Sequence, residues 1–236
     1  MTSQSISVHG SEINASVVRT NRIKTATVKV VDGQVSIVVP HALSDSRIQT
    51  ILKQKKRWIR EKLYLQNLAS PTVKKEYVSG ESFSYLGRNY RLKIKSDAIA
   101  RVKLVNGQFE VRLPKQFNTP ENIHKSLENW FRERAVLKFQ EKVDRYAEII
   151  GVTPKSVQVR SYRSRWGSCS MSGRISFNWK VIIAPNRVVD YVVVHELCHL
   201  VHHNHGSEFW RQVRSVLPDY EESRLWLKDN GGFLCI

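Results

Sequence analysis

The stretch VVVHELCHLVHHNHGSEFW, residues 192–210, places five histidines and two glutamates directly after a run of valines. His195, Glu196 and His199 form an HExxH pattern. On a helix, residues four apart lie one turn apart on the same face, so both imidazoles can approach one ion at the ~2.0–2.1 Å of a zinc–nitrogen bond. Glu196 is one residue round the helix from His195, so it is not a natural third ligand but can take a proton from a water that the metal acidifies. The pattern predicts one zinc ion per chain, with Glu196 as the catalytic base.

Several residues compete to be the third ligand. On a continuing helix His202 would lie about 10 Å along the axis from His195, too far to share one ion. His203 would point sideways. His205 lies between an asparagine and a glycine, which both tolerate left-handed backbone, so the chain can turn there and bring an imidazole back. We therefore expect His205 to complete the site. The competing carboxylates follow it on the next helices: Glu208, Glu221 and Glu222.

The second half of the chain has the elements needed to hold this motif. Thr119-Pro120-Glu121 predicts the start of a long helix that stops at Gly151. Strands are predicted at 156–162 and 175–183, on either side of SRWGSCSMSG. Asn186 begins the HExxH helix, and Pro218 separates two short helices after it.

The first half is predicted to be rich in β-strand, with one inserted helix. TATVKVVDGQVSIVVP alternates around Asp32-Gly33, a strong hairpin signal, and Pro40 ends its second strand. Ser44 then caps a helix that runs to about Leu68. Further hairpins are predicted to turn at residues 87–89 (Gly-Arg-Asn) and at Asn106-Gly107. No internal repeat is evident, and we place the domain boundary near Asn118, which gives domains 1–118 and 119–236.

Charge is the unusual quantity of the composition. Lys and Arg number 38 against 21 Asp and Glu, a formal net charge of +17 with a pI of about 10.0, which attracts polyanions such as nucleic acid or nucleotides. No apolar run approaches the ~20 residues of a membrane span, and residues 1–14 have neither the basic n-region nor the apolar h-region of a secretory signal. The three cysteines form no CxxC pair. We expect a cytoplasmic protein that does not associate with membranes.

Several segments resemble the YgjP-like family of zinc metallopeptidases, which is related to SprT-like and Wss-type proteases and to the minigluzincins. The segments are SRWGSCS (164–170), ISFNWKVIIAP (175–185), DYVVVHELCHLVHHNHGSEFW (190–210), PDY (218–220) and WLK (226–228). The N-terminal half also fits, with a β-hairpin, a helix that contains KKRWI and the YLGRNYRL hairpin, so the resemblance covers nearly the whole chain. It implies an α+β fold in which the β-rich half precedes a zincin-like (minigluzincin) domain with an HExxH active-site helix. It also implies that the third ligand is the histidine ten positions after the first, here His205, and that the WGSC strand or its neighbour borders the cleft.

Residues around WGSC are further candidates. Arg163, Arg165 and Tyr220, together with Tyr162, are possible substrate or transition-state contacts that would steady an oxyanion or grip a phosphate. Cys169 as a nucleophile would need a paired histidine, which a metal site makes unnecessary. We expect structural roles for the tryptophan and glycine of the same segment, with Trp166 packing and Gly167 allowing a close backbone approach.

Three functions remain open at this point. The first is peptide-bond hydrolysis, with a peptide or protein as substrate. The second is nucleotide (UTP) pyrophosphatase activity, which the family resemblance also implies, although the sequence has no glycine-rich phosphate loop. The third is an SprT-like protease directed to proteins on nucleic acid, with non-specific nucleic-acid association through the basic N-terminal half. No helix-turn-helix, zinc-finger or RNP signature supports sequence-specific binding.

Overall fold

The computed structural model describes residues 4–7, 14–21, 23, 25–31, 33–68, 75–163 and 165–236. The chain forms two compact units, Met1–Val73 and Lys74–Ile236, each with its own hydrophobic core. The sequence placed the division near Asn118 instead. The division lies earlier in the chain because the strands between Ser82 and Leu113 bury their apolar side chains in the core of the second unit.

The first unit is a four-stranded sheet followed by two helices. Its elements are β1 (Gln4–Ser7), β2 (Asn14–Thr20), β3 (Thr27–Val31), β4 (Gln34–Pro40), α1 (Asp45–Gln54) and α2 (Lys56–Leu68). The strand order is β1-β2-β4-β3, in which β2 and β4 are parallel and the other pairs are antiparallel. Alternate residues of β2 and β4 pack on buried residues of the two helices. The strands contribute Ala15, Val17, Val35, Ile37 and Val39 to this core, and the helices contribute Ile48, Leu52 and Ile59.

The hairpin predicted in this unit is present, with Gly33 at φ 72°, whereas Asp32 lies outside the described residues. The single helix predicted from Ser44 to Leu68 is two helices that break at Lys55. Like charges one turn apart, Lys53 and Arg57, weaken a helix there. Ser44 occupies the N-cap position, but its side chain makes no capping hydrogen bond.

The second unit begins with another four-stranded sheet and continues into the helices that carry the predicted site. Its elements are β5 (Ser82–Tyr85), β6 (Arg88–Ser96), β7 (Arg101–Val105), β8 (Gln108–Leu113), α3 (Pro120–Ile150), β9 (Ser156–Arg160), β10 (Gly167–Cys169), β11 (Arg174–Asn178), α4 (Asn186–Cys198), α5 (Ser207–Val216) and α6 (Tyr220–Asn230). The strand orders are β5-β6-β8-β7 and β10-β11-β9. In the three-stranded sheet β10 is an edge strand, antiparallel to β11.

The two sheets of four strands are copies of one motif, although the sequence showed no evident repeat. Both have the same strand order and directions, and both lead into helices. The hairpin pairs Thr27 with Val38 in the first copy and Arg101 with Arg112 in the second, so the registers coincide at an offset of 74 residues. At that offset VKVVDGQ aligns with VKLVNGQ. The similarity is hard to see in the sequence because most apolar positions differ in residue type.

The hairpin predicted at Asn106-Gly107 is confirmed, since both residues have the positive φ of a type I′ turn. The preceding hairpin turns at Leu86-Gly87, one residue before the predicted turn. Leu86 N–H donates to the carbonyl of Ile182 at 2.8 Å, and a Cβ on Gly87 would lie 2.7 Å from Cα of Pro185. Tertiary contact therefore fixes this turn. The Ile182 carbonyl that this turn contacts belongs to a 3₁₀ helix at Trp179–Ile183, where the sequence predicted strand.

Helix α3 backs the unit as predicted. Thr119 caps it by accepting from the backbone N–H of Asn122, and Gly151 ends it in the left-handed conformation. Its Trp130 contacts Phe109 of β8 with ring centroids 4.9 Å apart. The buried Lys142 bonds Asp190 of α4 at 2.5 Å. Helix α4 is thus joined to the backing helix by this ion pair, and buried residues of both helices belong to one hydrophobic core.

Among the described residues, no helix has the length and apolar character needed to cross a membrane. The strand pairs and helices together give the α+β fold that the sequence predicted, with β-strand concentrated in the first half.

Candidate metal centre

Helix α4 carries HExxH into the core of the second unit. It begins at Asn186, as predicted, and its valines are buried against α3 and its neighbours. The helix ends at Cys198, and His199 occupies the C-cap with backbone still near helical geometry. The imidazoles of His195 and His199 therefore keep the one-turn relation of a helix, with ring centroids 4.9 Å apart.

Three imidazoles converge beside this helix. One ring nitrogen from each of His195, His199 and His205 lies within 4.8 Å of the others. The Nε2 atoms of His195 and His205 are 3.1 Å apart. Two ligands of a tetrahedral ion with ~2.05 Å bonds stand roughly 3.3 Å apart, so this pair is close to the spacing that a shared ion requires. The donor set of three imidazoles suits zinc.

Two features favour free nitrogen lone pairs at this centre. Nδ1–H of His199 donates to the backbone carbonyl of His202 at 2.9 Å, which leaves its Nε2 available. Burial, together with the charges of His199, His205 and Arg224, lowers the pKa of His195 to about 3, so this ring is neutral. Among the described residues none hydrogen-bonds the buried Nδ1 of His195, whose ring packs on Tyr191 and Phe209 instead.

The turn after α4 brings His205 back to the helix. The helix stops before His202, so this residue does not extend the ligand face, and its carbonyl holds His199 instead. Asn204 and Gly206 were expected to turn through left-handed backbone, yet neither has a positive φ. The turn is held by the Asn204 side chain, whose Oδ1 accepts from Gly206 N–H at 3.1 Å.

The competing carboxylates lie in ion pairs with arginines. Glu208 pairs with Arg211 within α5. Glu221 pairs with Arg214 and Glu222 with Arg187, and all three carboxylates are exposed. Among the described residues, the group of histidines, cysteines and carboxylates able to share an ion is the three imidazoles.

Glu196 lies beneath β10 and is only 6% exposed. Burial raises its pKa to about 7, against the opposing influence of the Arg165 charge. A carboxyl group that titrates near neutrality can both accept and return a proton. Strand β10 crosses directly over it, because a Cβ on Gly167 would lie 2.6 Å from Oε1 of Glu196. The close backbone approach expected at Gly167 is therefore present, and it confines the carboxylate.

Two cavities meet at His195 and Glu196. One, of about 350 Å³, extends toward α6 and is lined by Trp166, Tyr191, Val192, Leu227, Arg224 and Lys228. The other, of about 390 Å³, extends toward the His205 turn and is lined by Arg165, Ser168, Cys169, Met171, His199 and His203. Gly167 borders both, so an open cleft passes on either side of the candidate base.

The structure brings one of the predicted contact residues to this cleft. Arg165 lines the second cavity. Arg163 lines other cavities, beside Lys180. Tyr220 is buried in a ring stack, 5.3 Å from Trp210, and its hydroxyl donates to Glu221. The Tyr162 hydroxyl lies 3.0 Å from Oγ of Ser168.

Cys169 and Trp166, which also belong to the WGSC segment, have surroundings that suit structural roles. Burial and the Glu196 charge raise the pKa of Cys169, which disfavours a thiolate nucleophile. Trp166 packs on the backbone of Gly231, where a Cβ would lie 2.7 Å from its ring. All three cysteines are free thiols.

Three residues near the centre, Arg224, Tyr191 and Trp210, were not predicted from the sequence. The Arg224 guanidinium lies over Trp210, 4.6 Å from the ring centroid, and Trp210 contacts the rings of His195 and His205. Arg224 and Lys228 are four residues apart on α6, a spacing that puts two cations on one helix face. That spacing is visible in the sequence, but whether this face of α6 is turned toward the histidines depends on how the helix packs.

A family model and solved structures match parts of this chain. The family model, described as the YgjP-like metallopeptidase domain, matches residues 24–230. Among solved structures, the metallopeptidase zymogen abylysin of Pyrococcus abyssi is 26% identical, with a TM-score of 0.35 over 38% of this chain and 93% of its own. The metallopeptidase zymogen jannalysin of Methanocaldococcus jannaschii is 17% identical, with a TM-score of 0.36 over 39% and 95%. No curated protein matches the chain.

Proposed function

Because the chain belongs to the YgjP-like metallopeptidase family, we propose that it hydrolyses peptide bonds with one zinc ion held by His195, His199 and His205. The observation that carries the proposal is the convergence of these three imidazoles beside a buried glutamate. Metallopeptidase membership implies a metal, and the donor set favours zinc over harder ions such as magnesium, which prefer oxygen ligands.

When bound, a zinc ion would supply Lewis acidity, which acidifies water and polarises a substrate carbonyl. The chain's own residues provide the remaining steps. Glu196 accepts a proton from the attacking water and returns it to the leaving amine. Gly167 keeps this carboxylate in place, since the backbone of β10 closes over it. The Arg165 guanidinium, on the wall of the second cavity, offers donors to a developing negative charge.

Strand β10 provides a surface for an extended substrate. It is an edge strand, and among the described strands its outer side pairs with none. A peptide laid along this edge would gain main-chain hydrogen bonds while its carbonyls pass over Glu196. A peptide or protein segment in extended conformation is therefore the proposed substrate.

The test is the Glu196→Gln variant, which keeps the shape of the side chain and removes its basicity. We expect zinc content to stay near one per chain and peptide cleavage to fall by roughly 10²–10⁴-fold, the usual contribution of a general base. Glu208→Gln is the matched control, because it removes an exposed carboxylate outside the cleft. Full peptidase activity in Glu196→Gln, or equal losses in both variants, would contradict the proposed role.

A nucleotide substrate is the second candidate. The specific observation in its favour is the set of cations along the cleft, Arg165 on one side and Arg224 with Lys228 on the other. Phosphate release from UTP should be measured beside peptide cleavage with the same two variants. Release that depends on Glu196, without peptide cleavage, would assign the chain to phosphoanhydride chemistry.

The third candidate is a protease that acts on nucleic-acid-bound proteins. Its support is the exposed basic surface of α1 and α2, which includes Arg47, Lys53, Lys55, Arg57 and Arg60. A protein substrate should then be cleaved faster when DNA is present, and the acceleration should fall steeply with added salt. Equal rates with and without DNA would remove this candidate.

A further inference from the structure

The cavity on the α6 side of the candidate metal centre combines apolar walls with positive charge. Its walls come from the side chains of Trp166, Tyr191, Val192 and Leu227. Its two cations, Arg224 and Lys228, project from the same face of α6. Glu196 is the acidic residue that lines it. A volume of about 350 Å³ is enough for one substrate side chain or chain end beside the reacting bond.

Arg224 is held in a way that leaves its hydrogen-bond donors available. Its guanidinium carbon lies over the Trp210 ring, 4.6 Å from the centroid, in a cation–π contact that holds the group without using an N–H. Among the described residues, no carboxylate lies within ion-pair distance of Arg224. An arginine held over a ring beside a cavity, with open donors, is suited to a planar anion bound through two parallel hydrogen bonds.

This arginine is also close to the reacting centre. The ring of Trp210, over which Arg224 lies, has its centroid 5.9 Å from that of the His195 ring and 5.6 Å from that of the His205 ring. An anion bound by Arg224 would therefore belong to the substrate residue next to the bond being cleaved. The net charge of +17 would draw such acidic substrates toward the protein.

We propose that this cavity binds a carboxylate of the peptide substrate beside the cleaved bond, with Arg224 as the residue that pairs with it. The inference rests on the proposed peptidase function and names its substrate class. An Asp or Glu side chain and a free peptide C-terminus present the same chemistry. A carboxylate matches the planar donor pair of the arginine, and the apolar walls accept the carbon chain that carries it.

The test uses three N-acetylated peptides of otherwise identical apolar sequence. One is neutral and amidated, one is amidated with a single glutamate, and one is neutral with a free C-terminal carboxylate. Binding is measured by calorimetry on zinc-loaded Glu196→Gln protein, which should not turn the peptides over, and cleavage is measured on the unmodified protein. Arg224→Gln and Arg224→Lys are made in both backgrounds. Arg187→Gln, on the exposed N-terminal turn of α4, is the charge-matched control.

We expect at least one acidic peptide to bind about tenfold or more tightly than the neutral peptide, the effect of one charge-assisted hydrogen bond. Whichever acidic peptide shows the preference identifies the carboxylate source. Arg224→Gln should abolish the preference, Arg224→Lys should restore part of it, and Arg187→Gln should leave it intact. Zinc content and thermal unfolding of the Arg224 variants should stay unchanged, because this side chain is exposed.

Three results would overturn the inference: equal binding of all three peptides, a preference that survives Arg224→Gln, or the same loss in Arg187→Gln. Its failure is distinguishable from failure of the peptidase proposal. Cleavage of the peptides without a carboxylate preference would overturn the inference alone. A preference that depends on Arg224, without Glu196-dependent cleavage, would support the cavity and contradict the peptidase proposal.

Discussion

His205 lies outside the helix that carries His195 and has His199 at its C-cap, and the loop of residues 200–206 brings it back. Its placement depends on the Asn204 side chain, which closes the turn onto Gly206, and on Trp210, against whose ring it stacks. At the scale of single residues, the candidate centre thus combines a rigid helical pair with one imidazole from a turn. The helical pair follows from spacing alone, whereas the third position depends on local hydrogen bonds.

His205→Ala should therefore remove metal while His203→Ala retains it. Loss of a ligand should weaken zinc affinity by more than about 100-fold, beyond the range found for residues that only orient a ligand. His203 is a suitable control because it lines the same cavity but lies outside the converging group. Zinc would be measured by elemental analysis after dialysis against a competing chelator. Equal zinc content in the two variants would contradict the proposed ligand set.

How far the sequence predicted this centre varied from residue to residue. The HExxH pattern has a fixed geometry on any helix, so the sequence was enough to place His195, Glu196 and His199 together. Arg224 could not be placed in this way, because it follows His195 by 29 positions and reaches the site only through the packing of α6 and the contact with Trp210. Arg163 and Tyr220 were chosen for chemistry, and packing directs them elsewhere.

At the scale of elements, strand β10 and helix α4 share one contact that matters for the proposed catalysis. The strand is three residues long, and its first residue is the glycine that meets the Glu196 carboxylate. Any side chain at that position would displace either the strand or the carboxylate. The backbone of β10 and helix α4 therefore approach each other closely at this point, which the absence of a Cβ on Gly167 permits.

Gly167→Ala should lower peptide cleavage by about 10²-fold, the usual cost of displacing a catalytic group by about 1 Å. It should also destabilise the fold by about 1–3 kcal/mol through overpacking, while zinc stays bound. Gly232→Ala is the matched control, since a Cβ there meets nothing within 4 Å. Activity would be measured together with thermal unfolding and metal content. An alanine at 167 that leaves cleavage unchanged would show that the close contact has no catalytic importance.

Elements with local signals were predicted well, and elements shaped by distant contacts were not. The capping residues of α3 and the Asn106-Gly107 turn follow from backbone preferences that act within a few residues. The segment Trp179–Ile183 is apolar enough for a buried strand, yet it forms a 3₁₀ helix. Its carbonyls accept from the turn at Leu86-Gly87, nearly a hundred residues earlier in the chain.

At the scale of the whole chain, the repeated sheet motif has different roles in the two units. In the second unit its core face packs on α3, where Phe109 contacts Trp130 and Phe131. In the first unit the equivalent face packs on α1 and α2, which carry an exposed basic surface. The boundary near Asn118 was expected because the run of strands ends there. Strand content does not reveal which core a sheet belongs to.

Two fragments would test this division. The fragment 74–236 should fold cooperatively and bind zinc, because it contains the complete second core. The fragment 119–236 should not fold, since it lacks the sheet that covers Trp130 and Phe131, and each such side chain contributes about 1.5–3 kcal/mol when buried. Thermal unfolding and zinc content of both would be compared with the full chain. Stable folding of 119–236 would favour the boundary near Asn118.

The edge position of β10 has a consequence for the behaviour of the protein in concentrated solution. A strand edge that pairs with none of the described strands is also a template for any partly unfolded copy of the same chain, which is the first step of aggregation. Mutual repulsion at a net charge of +17 opposes such encounters. High ionic strength screens that repulsion, so self-association through this edge should grow as salt is added.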